Sequence, residues 1–302
     1  MKLATIKTDS GYRLCVATDR GLIDIEKALA VKPADGTGRG IPTEMMELLR
    51  GGKDALKRLD AYVASLPTVA DHRYLVAEET AEWAPCVPAP QKLICVGLNY
   101  RKHAEETNAA IPEYPILFNK FNNALAGHLS VVTIPATTKK LDYEAELAIV
   151  IGEKAQRVSK KDALGYVAGY AAANDLSARE LQTRTSQWLL GKSGDGFCPL
   201  GPYLVTSDEV GDPNRLSIQT EVNGELRQNS NTSDMIFHCD EIVSYLSHHM
   251  TLESGDVILT GTPEGVVLGL PEDKQVYLQP DDEVKIRIEK LGTLSNRFTA
   301  AL

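Results

Sequence analysis

Apolar positions along this chain follow two rhythms. Over residues 1–72, short alternating runs give way to helical spacing. Leu3–Ile6 and Arg13–Ala17 read as strands around a turn at Ser10-Gly11, and Leu22-Ile23-Asp24-Ile25 follows. Thr43–Leu49 and Ala55–Leu66 repeat apolar residues at helical intervals, with a Gly-rich loop, Lys32–Gly40, before them. This pattern predicts a small N-terminal α/β domain, and no chemistry is legible in it. Residues 73–90 read as a connector, stiffened by Pro85, Pro88 and Pro90. From 91 to 302 short apolar runs alternate with Gly, Pro, Asn and Asp. They are Leu93–Val96, Ile116–Phe118, Leu147–Ile151, Tyr166–Ala173, Tyr203–Thr206, Ile218–Val222, Val257–Thr260 and Val284–Ile288. Many short strands punctuated by turns predict a mainly β domain, so the whole chain reads as α+β. Helical spacing recurs there only at Arg101–Thr107, from Ser177 to about Leu190, and at Asp240–Met250.

Composition changes this picture little. The chain has 302 residues, 43% of them hydrophobic and 24% charged, enough for a sizeable core. A net charge of −9 without a basic cluster argues against nucleic acid and anionic membranes as partners. The five cysteines are scattered and form no Cys-x-x-Cys, which argues against a disulfide framework or a zinc site and fits a reducing cytoplasm. Met1–Lys7 lacks a long apolar core, and neither a signal peptide nor a membrane span is expected.

The candidate chemistry starts at Leu141-Asp142-Tyr143-Glu144-Ala145-Glu146-Leu147, which runs into an apolar strand pattern. Residues two apart on a strand share a face, so Glu144 and Glu146 are aimed at one spot. They either hold a divalent cation or form an edge-strand pair facing water. Asp175 follows the strand-like Tyr166–Ala173 and precedes a helix opening, where it is either a third ligand or a helix cap. Three carboxylates without nearby His or Cys make a hard oxygen site, suited to Mg²⁺, Mn²⁺ or Ca²⁺.

His103 and Glu106 are three apart, so on a helix they share a face; they form either a base with its orienting carboxylate or two incidental charges. Lys192 stands beside apolar residues and a Gly-rich turn, either as a buried cation for an oxyanion or as a surface lysine. The loop Thr260-Gly261-Thr262-Pro263 lets backbone N–H groups approach an anion, or is an ordinary turn.

Together these segments resemble the fumarylacetoacetate hydrolase superfamily. The match runs in order from Gly97-Leu98-Asn99-Tyr100 through Asp142–Leu147, Asn174–Arg179, Gly191-Lys192-Ser193 and Pro199–Pro202. It continues over Val222–Glu225, Met235–Phe237, Gly255–Ile258 and Thr260–Pro263. The resemblance implies a mixed β-sandwich roll after a small N-terminal domain, a homodimer, and Mg²⁺ or Mn²⁺ on Glu144, Glu146 and Asp175. It implies His103 and Glu106 as the dyad that activates water, on a segment that orders over substrate, and Lys192 as the active-site lysine. Lys120, Arg179, Gln182 and Thr262 match substrate-contacting or supporting positions. Within the superfamily the chain is most similar to the sugar-acid branch, the 2,4-didehydro-3-deoxy-L-rhamnonate hydrolases and acylpyruvases. It departs from them at Gly194–Cys198, at Asn122-Asn123 and at Tyr203.

The expected activity is metal-dependent hydrolysis of a C–C bond in a 2,4-dioxo acid, giving pyruvate and a carboxylic acid. A metal-stabilised enolate serves equally for oxaloacetate decarboxylation or diene-dioate isomerisation. A non-catalytic metal-binding member is the reading from a different class.

Overall fold

A computed structural model describes residues 1–34, 40–67 and 71–301; most of the predicted Gly-rich loop lies outside them. The N-terminal strands are Lys2–Thr8 (β1), Gly11–Thr18 (β2), Gly21–Asp24 (β3) and Leu75–Val76 (β4). Helices Ile25–Val31 (α1), Met45–Arg50 (α2) and Gly52–Ser65 (α3) lie between β3 and β4. Next come Leu93–Gly97 (β5), helix Arg101–Glu106 (α4), Ile116–Asn119 (β6), Leu125–Ala126 (β7), Val131–Ile134 (β8), Leu141–Asp142 (β9), Ala145–Ile151 (β10) and Val167–Asn174 (β11). Ser177–Ala178 (β12) leads to short helices Arg179–Gln182 (α5) and Leu189–Lys192 (α6), then Cys198–Thr206 (β13) and Ser207–Val210 (α7). The chain ends with Ser217–Val222 (β14), Glu225–Asn231 (β15), helix Cys239–His249 (α8), Val257–Leu259 (β16), Glu283–Ile288 (β17) and Gly292–Ala300 (β18).

These strands build a large sheet in the order β4-β3-β2-β1-β13-β11-β10-β16-β5-β6 and a five-stranded sheet in the order β15-β14-β17-β18-β8. The N-terminal module continues into the large sheet, where β1 pairs antiparallel with β13 through Leu3 and Leu204. The two sheets face each other where β10, β11 and β13 pack against β14, β17 and β18. Strands β10, β11 and β13 are buried along their whole length, which explains their continuous apolar runs. The fold is therefore the mixed α+β, mainly stranded architecture expected.

One expected element is different. Instead of a single helix from Ser177 to Leu190, the chain forms a bridge to β9 at Ser177–Ala178 and two one-turn helices, α5 and α6. The polar stretch between them favours its own hydroxyl contacts over a helical ladder: Thr185 Oγ1 both donates to the Gln187 carbonyl and accepts from the Gln187 N–H. Gly191 allows the sharp return. A Cβ there would lie 2.4 Å from the Gln182 backbone nitrogen, so only glycine lets α6 pack on α5 and bring Lys192 inward.

Candidate functional site

The carboxylates come from the centre of the large sheet. Glu146 lies on β10, which is flanked by β11 and β16, and Glu144 immediately precedes that strand, so neither sits on an edge strand. Both are buried, as is Asp175 just beyond the end of β11. Ligand atoms of the three lie within 4.8 Å of one another, and among the described residues no other group of His, Cys, Asp and Glu side chains comes together in this way. Asp175 caps no helix: α5 starts after Ala178 without a side-chain cap, and the Asp175 carboxylate faces Lys120 Nζ at 2.6 Å and Lys192 Nζ at 2.8 Å.

Lys192 is 2% exposed, which removes the surface-lysine reading. Its ammonium bridges Asp175 and Glu144 Oε2, the latter at 2.7 Å, and sits 5.0 Å above the Phe118 ring. Burial would favour neutral Lys192, but the Asp175 and Glu144 carboxylates outweigh it and hold the group charged. Arg179 Nη1 contacts Glu144 Oε1 at 2.7 Å and Gln182 Oε1 at 3.0 Å, while its Nε and Nη2 engage Asp142. Burial would raise the Glu144 carboxyl; Lys192 and Arg179 prevail and hold it well below the ordinary carboxylate range.

Glu146 behaves oppositely. Its Oε2 accepts the Gly261 N–H at 2.6 Å, and no ion pair reaches it from the described residues. Burial, followed by the Asp175 and Glu144 charges, pushes its carboxyl well above the ordinary range. A buried carboxylate that lacks its own cation, beside two others, is the donor set a hard dication satisfies. The three residues therefore fit Mg²⁺ or Mn²⁺, which would be held by Glu144, Glu146 and Asp175.

His103 and Glu106 meet as their spacing implies. His103 is buried on α4, and its Nδ1 lies 2.7 Å from Glu106 Oε1; Glu106 Oε2 accepts the Gly265 N–H at 2.8 Å. A cavity of about 230 Å³ joins His103 to two of the carboxylates, lined by His103, Glu144, Glu146, Arg179, Gln182, Lys192 and Thr262. Thr107 and Ala109 close one side of it, and Phe118 and Trp188 supply apolar wall. A larger cavity, about 360 Å³, opens beside Lys53, Leu56 and Tyr166 but is remote from this chemistry.

Lys120 is placed differently from a substrate contact. Besides Asp175, its Nζ donates to the carbonyls of Leu176, Lys192 and Phe197, and it does not line the cavity. It supports Asp175 and the turn that presents Lys192. The loop at 260–268 also departs from its expected use. Its N–H groups from Gly261, Gly265, Val267 and Leu268 bind Glu146, Glu106 and Asp142, so they orient the protein's own carboxylates rather than a ligand anion.

Two site residues were not singled out in the sequence. Asp142 stands two positions before Glu144, and its motif position was the available signal. Gln228, which reaches the site by donating to the cavity-lining Thr262 at 2.9 Å, lies on the polar strand β15 and gives no signal.

Comparison with known proteins agrees with this geometry. The family model "Fumarylacetoacetate (FAA) hydrolase C-terminal" matches residues 92–299. The mitochondrial oxaloacetate tautomerase Fahd2a of Rattus norvegicus is 41% identical over 259 residues, 85% of this chain and 80% of its own length; human FAHD2A is 42% identical with the same coverage. Among solved structures, a fumarylacetoacetate hydrolase from Exiguobacterium antarcticum superposes with a TM-score of 0.80 at 33% identity, covering all of both chains. A maleylpyruvate hydrolase from Sphingobium, in complex with manganese(II) and pyruvate, gives 0.78 at 29% identity, again over all of both chains. With its fold, carboxylate cluster and matched length taken together, this chain belongs to the fumarylacetoacetate hydrolase family of enzymes.

Proposed function

We propose that the protein interconverts the keto and enol forms of a small 2-oxo dicarboxylic acid of the oxaloacetate type, rather than chiefly hydrolysing a C–C bond. The observation that carries this is the placement of His103. With Nδ1 committed to Glu106, its Nε2 is the ring atom left to exchange a proton inside the cavity shared with Lys192 and the carboxylates. Tautomerisation needs no more than that. His103 takes the C3 proton, the C–H electron pair becomes the C2–C3 double bond, and the carbonyl pair moves to the C2 oxygen. Lys192 stands as the cation for that oxygen, and a proton returned to it completes the enol. Mg²⁺ or Mn²⁺ on Glu144, Glu146 and Asp175 would supply Lewis-acid stabilisation of the same enolate. Arg179 and Gln182 offer donors for the substrate's carboxylates.

The names of the curated relatives support this reading, and the keto-acid and manganese in the maleylpyruvate hydrolase complex support the metal and the substrate class. Decarboxylation of oxaloacetate passes through the same enolate, whereas hydrolysis of an acylpyruvate also requires an attacking water. The family resemblance alone leads us to propose a homodimer as well. The expected cytoplasmic setting is the point from which the relatives' names pull away, since they are called mitochondrial. Among the described residues no helix is long and apolar enough to cross a membrane.

The test follows decay of enol-oxaloacetate absorbance, pyruvate release and acylpyruvate cleavage in parallel, with Mg²⁺ or Mn²⁺ and after stripping with EDTA. Enol–keto exchange should be the fastest of the three, should require the metal, and should fall by about 10²–10⁴-fold in His103→Ala. Exchange at the buffer rate alongside rapid acylpyruvate cleavage would overturn the proposal in favour of the hydrolase.

A further inference from the structure

Gln228 sits on β15, fully buried, with every hydrogen-bonding position of its amide filled. Its Oε1 accepts from the Ala145 N–H at 3.0 Å and the Thr220 hydroxyl at 2.7 Å. Its Nε2 donates to Thr262 Oγ1 and to the Pro263 carbonyl, both at 2.9 Å. The two ends of this amide cannot be exchanged. The Ala145 N–H has only a proton to give, and the Pro263 carbonyl has only lone pairs. Thr262 must therefore accept from Gln228.

That fixes the other half of the Thr262 hydroxyl. Among the described residues its only hydrogen bond is the one from Gln228, so its own proton is uncommitted. Thr262 is buried and lines the cavity opposite no carbonyl that claims it. The same amide grips Ala145, the residue between Glu144 and Glu146, and so holds the hydroxyl in register with the carboxylate cluster.

We propose that Gln228 is a positioning residue that occupies one lone pair of Thr262 and so leaves its proton to be donated into the cavity, and that the ligand atom received there is an anionic oxygen of a small carboxylic acid. The substrate class rests on the function proposed above; the donor sense rests only on the amide geometry. A ligand presenting only an N–H or O–H at this point would leave the buried Thr262 proton without an acceptor, whereas an anionic oxygen satisfies it.

Binding of oxalate to the Mg²⁺-loaded protein, measured by isothermal titration calorimetry, reads the donor without turnover. Thr262→Val should weaken oxalate about tenfold or more, the worth of one hydrogen bond to a charged acceptor, and Thr262→Ser should restore it to within about threefold. Gln228→Glu keeps an acceptor for Ala145 but offers Thr262 an acceptor in place of a donor. It should therefore turn the hydroxyl away from the ligand and weaken oxalate about as much as Thr262→Val. The double variant should be no weaker than Thr262→Val alone, because both changes remove one interaction. Wild-type affinity in Thr262→Val, or full additivity in the double variant, would overturn the proposal. Should Gln228→Glu fail to fold, the contrast between Thr262→Val and Thr262→Ser still decides, since an equal loss in both refutes a hydroxyl donor. Failure of the tautomerase reading would leave these oxalate affinities unchanged, so the two can fail separately.

Discussion

Asp24 in the N-terminal module and the Glu144–Glu146–Asp175 cluster are fully or almost fully buried carboxyl groups, yet they are finished differently. Asp24 caps α1 by accepting the Lys27 N–H at 3.2 Å, and Arg13 Nη1 reaches it at 3.1 Å from a partly exposed position. One carboxylate has its donors and its counter-charge. At the site, four carboxylates, Asp142 included, meet three cations, Lys120, Lys192 and Arg179. Glu146 is the group left over. Burying an anion to support a fold calls for completing its partners; burying one to bind a cation calls for leaving a charge unmatched.

Replacing each kind of carboxylate tests that contrast. The largest effect is expected from Glu146→Gln, which should lower metal-dependent turnover on the order of 10³-fold, since Lewis-acid stabilisation supplies several kcal/mol. Metal-free protein should melt no lower than wild type, because burial and the neighbouring charges already favour the neutral form of Glu146. A stripped Glu146→Gln protein markedly less stable than wild type would place Glu146 with the structural carboxylates and break the comparison.

Asp24→Ala should do the reverse. It removes a helix cap and, among the described residues, leaves Arg13 with Glu26 as its ion-pair partner and Ser10 as a hydroxyl contact, so urea denaturation should show a loss of about 2–4 kcal/mol. The surviving folded enzyme should keep its kcat/KM, since no atom of Asp24 approaches the cavity. A large fall in kcat/KM at unchanged stability would mean that the N-terminal module reaches the chemistry.

The contrast also explains what the sequence could disclose. Glu144, Glu146, His103 and Glu106 were legible because their partners are two or three residues away, on α4 or at the extended start of β10, where periodicity fixes the direction of each side chain. Asp175 and Lys192 needed the resemblance, since the ion pair between them closes only when β11 and α6 are packed. Lys120 was legible as a site residue, but which of its two roles it takes, contacting or supporting, was not, because three backbone carbonyls from distant segments decide where its ammonium lies. Strand β18 was missed where its polar and small residues hide any run, and it forms only by pairing with β17 and β8. The continuation of the large sheet through β1 and β13 depends on residues some two hundred positions apart, which no local pattern encodes.

The smallest effect expected concerns a partly buried base rather than an acid. His128 packs edge-on against Trp83, with ring centroids 5.2 Å apart, and its Nδ1 accepts the Ser295 N–H at 3.0 Å. That bond requires a lone pair on Nδ1, and burial pushes the imidazole down to about 4. In the unfolded chain the ring titrates near its ordinary value of about 6.5. Above that value both states are neutral and pH has no leverage through this group. Between about 6.5 and 4 the unfolded chain binds a proton that the folded protein refuses, so stability falls as pH falls. Below the folded value both states carry the proton and the loss levels off. Wild type and His128→Asn, whose side-chain oxygen still accepts from Ser295, should have parallel unfolding curves at pH 8. They should diverge on acidification, with wild type losing the more stability, by less than Asp24→Ala costs. Parallel curves down to pH 4.5 would show that His128 is protonated in the folded state. The protein would then tolerate an unmatched, partly buried charge outside its active site, and the distinction between finished and unfinished ionic groups would lose its force.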